Sequence, residues 1–305
     1  MVRMGKGTNG TELVHKPVLK TEVIRFLAVE SDKKYIDTTV GEGGHAEAIL
    51  KNGGEVLGID YDPKALEIAW RHLASACPPD VYRWRLAHGN FAKLREIVKK
   101  ENFYPVSGVL FDLGISSVQL EDPKRGFSFA SDQSLDMRLN PQEQSVTAQD
   151  LINGLNEGEL YELFTKLGEE HRSRRLARAI CRARRIRPIR ACDELARIAN
   201  EVAPGRGRIH PATRIFQALR LAVNDELNNL REALPQALEI LERGGRLVVL
   251  SFHSLEDRIV KEFFKQKQNE GMISILTKKP VRPTPQEVKI NPRSRSVKLR
   301  AGEKL

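Results

Sequence analysis

The run from Tyr35 to Asp60, YIDTTVGEGGHAEAILKNGGEVLGID, constrains the fold more than any other stretch. Tyr35 to Val40 is β-prone, and Gly41, Gly43 and Gly44 follow at once. Glycine there lets the backbone turn sharply and leaves room for a ligand against the main chain. His45 to Leu50 has helical character, Glu55 to Ile59 is a second strand, and Asp60 stands at its carboxyl end. A strand, glycine turn, helix and strand, with an acid about 20 residues past the turn, is the pattern that holds the ribose of a nucleotide.

The turn does not suit a dinucleotide. Gly41-Glu42-Gly43-Gly44-His45 lacks the third glycine of G-x-G-x-x-G. Glu42 in the loop and Asp37 before it would repel a pyrophosphate. S-adenosylmethionine carries no phosphate and has a sulfonium cation, so acid beside the turn becomes useful. Asp37, Thr39, Gly41 and Gly43 fit the acid-then-glycine frame of methyltransferases, with Thr39 in place of the first glycine. The expected cofactor is S-adenosylmethionine.

Strands and helices alternate beyond this unit. A helix is expected over Lys20 to Leu27, and another over Lys64 to about Ala74, with Asp62 as its N-cap and Pro63 in its first turn. Val81 to Leu86 reads as a third strand and Val106 to Phe111 as a fourth, ending at Asp112. A helical pattern runs from Arg214 to Leu241 with an interruption at Pro235; Gly244-Gly245 stops it, and Arg246 to Ser251 is a buried strand. Ser296 to Arg300 suits a last strand. The expected class is α/β, a Rossmann-like, mostly parallel sheet with ligands at the strand carboxyl ends. Asp60, Asn90-Phe91, Asp112 and Ser251-Phe252-His253-Ser254 all fall at such ends.

Between Asp112 and Arg246 the chain is far longer than one crossover helix needs. Capping boxes at Thr147/Asp150 and Asn156/Glu159, and amphipathic runs over Glu159–Leu167, Arg172–Arg185 and Asp193–Val202, predict a helical domain there. The expected organisation is a methyltransferase domain over 12–123 and 211–305, a helical substrate-recognition insert over 124–210, and a flexible tail over 1–11.

The net charge of +10 favours a polyanionic partner. The insert concentrates that charge in Arg172, Arg174, Arg175, Arg178, Arg182 and Arg185, with Leu176, Ile180 and Ala183 on one face. Arginines covering the rest of a helix suit phosphate contacts. A second basic segment, Lys278 to Arg300, includes Arg293 and Arg295 and reads as extended chain laid over the sheet edge. No apolar run is long enough to span a membrane, and Cys77, Cys181 and Cys192 form no C-x-x-C. A cytoplasmic protein without a metal site is expected.

Eight motifs together resemble one family. His15-Lys16-Pro17-Val18, Gly43-Gly44-His45, Asp112-Leu113-Gly114-Ile115-Ser116-Ser117, Arg125-Gly126-Phe127-Ser128-Phe129, Leu135-Asp136-Met137-Arg138, His210-Pro211-Ala212-Thr213-Arg214, Ser251-Phe252-His253-Ser254-Leu255-Glu256-Asp257-Arg258 and Asn291-Pro292-Arg293-Ser294-Arg295-Ser296 run in order from His15 to the C-terminus. This series resembles the bacterial ribosomal small-subunit methyltransferase H (MraW) family. The resemblance implies methylation of N4 of one cytidine in the decoding region of 16S ribosomal RNA, with the small ribosomal subunit as partner; it leaves a homodimer open. It implies cofactor contacts at Gly43, Gly44, His45, Asp60, Phe91, Asp112 and Gln119.

Chemistry assigns Asp60 to the ribose hydroxyls, Phe91 to the adenine and the His45 amide to the methionine carboxylate. Many amino-methyltransferases carry D/N-P-P-Y/F after the fourth strand, whereas Asp112-Leu113-Gly114-Ile115-Ser116-Ser117 stands here. The proton acceptor therefore stays open among Asp112, Ser116, Ser117, Asp136 and the Ser251-to-Ser254 strand end with His253. Two other functions remain in play: a DNA amino-methyltransferase, which the absent motif disfavours, and a non-catalytic RNA-binding assembly factor, which the intact glycines and acids disfavour.

Overall fold

The computed structural model describes residues 17–79, 81–129, 132–204 and 210–305. The expected tail, and the first two residues of the His15-Lys16-Pro17-Val18 motif, lie outside that set.

A seven-stranded sheet organises the chain, in the order β3-β2-β1-β4-β5-β7-β6. Its strands are β1 (Lys34–Asp37), β2 (Glu55–Asp60), β3 (Trp84–His88), β4 (Val106–Asp112), β5 (Leu241–Ser251), β6 (Ile273–Ile275) and β7 (Lys298–Lys304). The first five are parallel, while β7 runs antiparallel to both β5 and β6. Along the central strands residues alternate between the two faces, apart from an irregularity near Val106 and Gly108 on β4, and both faces are covered. Ile36, Leu57, Val109, Phe111, Leu247 and Val249 pack under one layer; Tyr35, Val56, Leu110, Val248 and Leu250 pack under the other. The central strands β2, β4 and β5 carry long apolar runs for that reason.

On the first face lie α4 (Leu94–Lys100), α11 (Glu226–Ile240) and α12 (Ser254–Asn269). On the second lie α1 (Lys20–Leu27), α2 (Gly44–Lys51) and α3 (Pro63–Ala76). The side chain of Asp62 accepts from Lys64 N, which fixes the start of α3 with Pro63 in its first turn. A separate core, from Phe127 to Leu219, is built by α6 (Ala148–Gly154), α7 (Glu157–Lys166), α8 (Ser173–Ile186), α9 (Cys192–Val202) and α10 (Ala212–Val223). Capping boxes open α6 and α7 at Thr147 and Asn156. Two short helices remain, α5 (Ser117–Glu121) and α13 (Pro285–Ile290).

Four expectations are corrected. The third strand begins at Trp84, because Val81 is 69% exposed and has no strand to pair with. The pattern from Arg214 is two helices, broken at Asn224-Asp225 rather than at Pro235, which sits inside α11. Gly244-Gly245 ends nothing, since β5 runs through them with an irregularity in its pairing to β4. The basic segment before β7 is not wholly extended: α13 and a 3-10 turn at Pro292–Ser296 lie within it, and Glu287 accepts from Leu19 N at 2.7 Å.

Candidate active site

One cavity opens at the carboxyl ends of the parallel strands, where β1 is flanked by β2 and β4. That reversal of strand order is where α/β sheets hold ligands. Gly41, Gly44, His45, Asp60, Asn90, Phe91, Asp112, Ser116 and Gln119 all line it. So do Leu139, Asn224, Glu226, Asn229, Phe252 and Glu256, which come from the opposite wall.

The turn after β1 is held by the acid after β2. Asp60 Oδ2 accepts from Gly41 N and Oδ1 from Asp62 N, each at 2.9 Å. Gly43 has φ of 88°, and a Cβ there would stand 3.3 Å from His72 and Leu73. It therefore shapes the turn against α3, and it does not line the cavity. Thr39 Oγ1 accepts from Asp112 N at 2.8 Å, joining β1 to the end of β4. Phe91 packs edge-on against Phe111 with centroids 5.7 Å apart. Gln119 accepts from Ser116 N and donates to Asp62 Oδ2 at 2.8 Å. The side chain of Ser116 caps α5.

Several polar atoms in this wall are buried and have no hydrogen-bond partner among the described residues: both ring nitrogens of His45, Asp112 Oδ1 and Glu42 Oε1. His45 Nε2 lies 3.5 Å from Asp112 Oδ2, too long for a good bond. Buried polar groups are rarely left unmatched, so the set is arranged for something polar that enters from the cavity. Burial lifts the carboxyl of Asp60 to about 6, against the pull of its backbone N–H partners. It lifts Asp37, behind the turn, to about 7, with His45 opposing and Asp112 adding to the rise.

Two expected residues lie elsewhere. Asp136 is outside the cavity lining and forms an ion pair with Arg138 at 2.7 Å, which holds it below the usual carboxylate range against burial. His253 is also outside the lining; it caps α12, with Nδ1 accepting from Glu256 N and Nε2 3.1 Å from Glu256 Oε1. Sequence reasoning missed the opposite wall. Arg220, on α10, bonds Glu226 through two nitrogens at 2.9 and 3.0 Å. Burial would raise Glu256, but His253 first and Arg220 after it hold its carboxyl below the ordinary value. The signal available for Glu256 was its place in the Ser251-to-Arg258 motif; nothing local marked Arg220, Glu226 or Asn229.

The expected basic residues divide. Arg172 at the N-cap of α8 and Arg174, Arg175, Arg178, Arg182 and Arg185 on it are exposed, while Leu176, Ala177, Ile180 and Cys181 face its core. Arg178 pairs with Glu157, and Arg174 lies over the Tyr161 ring. Arg184 is turned inward onto the carbonyls of Ile152 and Leu155. Arg293 reaches the cavity rim, bonding Ser117 Oγ and Glu121, and Arg295 is exposed.

A family model described as the MraW methylase family matches residues 12–305. The chain belongs to that family. Three similar proteins carry the name Ribosomal RNA small subunit methyltransferase H. The one from Dehalococcoides mccartyi strain BAV1 is 46% identical, over 96% of this chain and 87% of its own. Those from Coprothermobacter proteolyticus and Koribacter versatilis are 44% and 46% identical, covering 95% and 97% of this chain and 96% of each relative.

As an MraW methylase the chain is a methyltransferase, and its cofactor is S-adenosylmethionine. The cavity fits that cofactor. Asp60 would offer its carboxylate to ribose hydroxyls, Phe91 its ring to adenine, and the unmatched ring nitrogens of His45 would meet a charged amino-acid end. Cofactor affinity is expected to fall as pH drops through about 6. An ionised Asp60 would accept both hydroxyls, whereas the protonated acid would use one oxygen as a donor. Calorimetry should give a Kd about tenfold weaker near pH 5 than near pH 8, and Asp60→Asn should flatten that dependence. A pH-independent wild type would contradict the assignment.

No helix among the described residues is long and apolar enough to cross a membrane.

Proposed function

We propose that this methyltransferase places a methyl group on N4 of one cytidine in the decoding region of 16S ribosomal RNA, with the small ribosomal subunit as its partner. The names of its relatives support ribosomal RNA as the class of substrate. The observation that carries the reading is Asp112, whose Oδ1 is buried and unmatched in the same cavity as Asp60 and Phe91.

Bound S-adenosylmethionine supplies an electrophilic methyl on its sulfonium. The residues around it must make a poor nucleophile competent. Cytosine N4 is conjugated with its ring, so its lone pair becomes available only as a hydrogen is drawn off. Asp112 Oδ1 is the acceptor we assign to that hydrogen. Ser116 is less suited, because its hydroxyl caps α5. Asp136 is occupied by Arg138, His253 serves as the cap of α12, and neither lines the cavity. Glu226, Asn229 and Glu256 on the far wall give the base edge polar partners, and the cytosine leaves its stack to reach them.

The helical lobe built by α6 to α10 is assigned to RNA recognition, with Arg172, Arg174, Arg175, Arg178, Arg182 and Arg185 facing phosphates. Arg293 and Arg295 add contacts beside the cavity mouth. The Arg293–Glu121 pair is exposed and so weakly held, and a phosphate can replace its carboxylate. Incubation with labelled cofactor and small subunits from cells lacking the activity tests the reading. Label is expected in RNA from the small subunit. Binding of subunits with no transfer would indicate an assembly factor instead, and label in DNA alone would indicate a DNA enzyme.

A further inference from the structure

The motif Arg125-Gly126-Phe127-Ser128-Phe129 has so far been given no role, and its first residue is the most deeply buried arginine among the described residues. Arg125 Nη1 meets Asp62 Oδ2 at 2.8 Å, with the two side chains 8% and 2% exposed. Its Nη2 donates to two carbonyl oxygens on another loop, Arg138 at 3.1 Å and Leu139 at 3.0 Å. Met137 N returns a bond to the Arg125 carbonyl at 2.9 Å.

Each end of this bridge reaches the cavity. Asp62 donates its N–H to Asp60, and its carboxylate also receives Gln119, so one end is the cofactor side. Leu139 lines the opposite wall, and its N–H donates to Asn224 Oδ1, while Asn224 Nδ2 donates to Met137 O. The Met137–Leu139 loop is thus clamped between Asn224 and Arg125. Gly126 makes the close approach possible, since a Cβ there would fall 2.4 Å from Ser134 O.

We propose that Arg125 is a positioning residue that sets the distance between the cofactor half of the cavity and the wall carrying Leu139. This rests on the reading that a target base enters beside that wall. Arg125 touches neither reactant, and it acts through Asp62 and the 138–139 backbone. A planar fork does this because one nitrogen serves the carboxylate while the other serves two carbonyls; the ammonium of lysine is a single point and cannot span both. Misplacement of about 1 Å between reacting groups can cost about 100-fold in rate.

The test is Arg125→Lys, which keeps the charge beside Asp62. The variant should bind S-adenosylmethionine within about threefold of wild type, while single-turnover transfer at saturating cofactor falls about 100-fold. Asp62→Asn, which keeps the side-chain size and the acceptor for Lys64 N, should show the same loss of single-turnover transfer at saturating cofactor, so the inference stays testable if Arg125→Lys does not fold; its cofactor affinity is left out of the comparison because Gln119 loses an acceptor too. The double variant should lose no more than the worse single one. Transfer at the wild-type rate in both single variants would overturn the inference. So would a loss that higher cofactor concentration repairs, because Arg125 would then serve cofactor binding or stability alone. If wild type itself methylates no RNA, the proposed function fails; if only the variants match an active wild type, this inference alone fails.

Discussion

Replacing Asp60 by alanine is expected to raise the Kd for S-adenosylmethionine by about a hundredfold or more. Two hydroxyl bonds to a charged acceptor are lost, each worth about 1.5–3 kcal/mol, and about 1.4 kcal/mol is tenfold in affinity. The loss extends past the ligand, because Asp60 also holds Gly41 N and Asp62 N. Alanine leaves both donors without their acceptor and frees the glycine turn that shapes the cavity. Asparagine keeps one carbonyl oxygen and should weaken binding less. Calorimetry on the three proteins gives the ranking directly: wild type tightest, asparagine intermediate, alanine weakest. Normal binding by the alanine variant would mean that the ribose lies elsewhere.

The second large effect is expected on RNA. Changing Arg174, Arg178 and Arg185 together to alanine removes three exposed cations from α8 without touching its buried face of Leu176, Ala177, Ile180 and Cys181. Each phosphate contact contributes about 0.7–0.9 to the slope of log K against log salt, so the slope should shrink by about 2. Affinity should fall across RNA sequences alike, since phosphate contacts carry no base identity. Cofactor affinity should stay unchanged, because none of the three lines the cavity. An unchanged salt slope would return this helix to being a solvated face, its arginines spent on neighbours as Arg178 is on Glu157.

The part of the fold that could be read in advance is the part whose instructions are local. Tyr35 to Asp60 states its own turn, cap and period, and the first five strands lie parallel as their alternation with helices predicts. The break between α10 and α11 could not be read. It falls at Asn224-Asp225, with no glycine or proline, and Asp225 has φ of 49°. What fixes it is distant: the Asn224 amide is engaged by Met137 and Leu139, 87 and 85 residues earlier. Gly244-Gly245 misled for the same reason, since pairing with β4 and β7 carries β5 through a local breaker.

The cavity divides along the same line. Its cofactor half follows strand ends that can be counted along the chain. Its other half depends on which side chain each polar group finds. Asp136 and Asp112 look alike in sequence, yet one is occupied by Arg138 and the other has a buried oxygen with no partner among the described residues. Arg220 resembles any helix-surface arginine in sequence, but in the fold it lies partly buried and paired with Glu226.

The identity of the methylated nucleoside decides whether cytosine N4 is the methyl acceptor. Small-subunit RNA labelled by the enzyme is digested to nucleosides and separated against standards. Label is expected in N4-methylcytidine alone, lost in the Asp112→Ala variant while its RNA binding persists. Label on a different base or on ribose, or undiminished transfer without the Asp112 carboxylate, would contradict it.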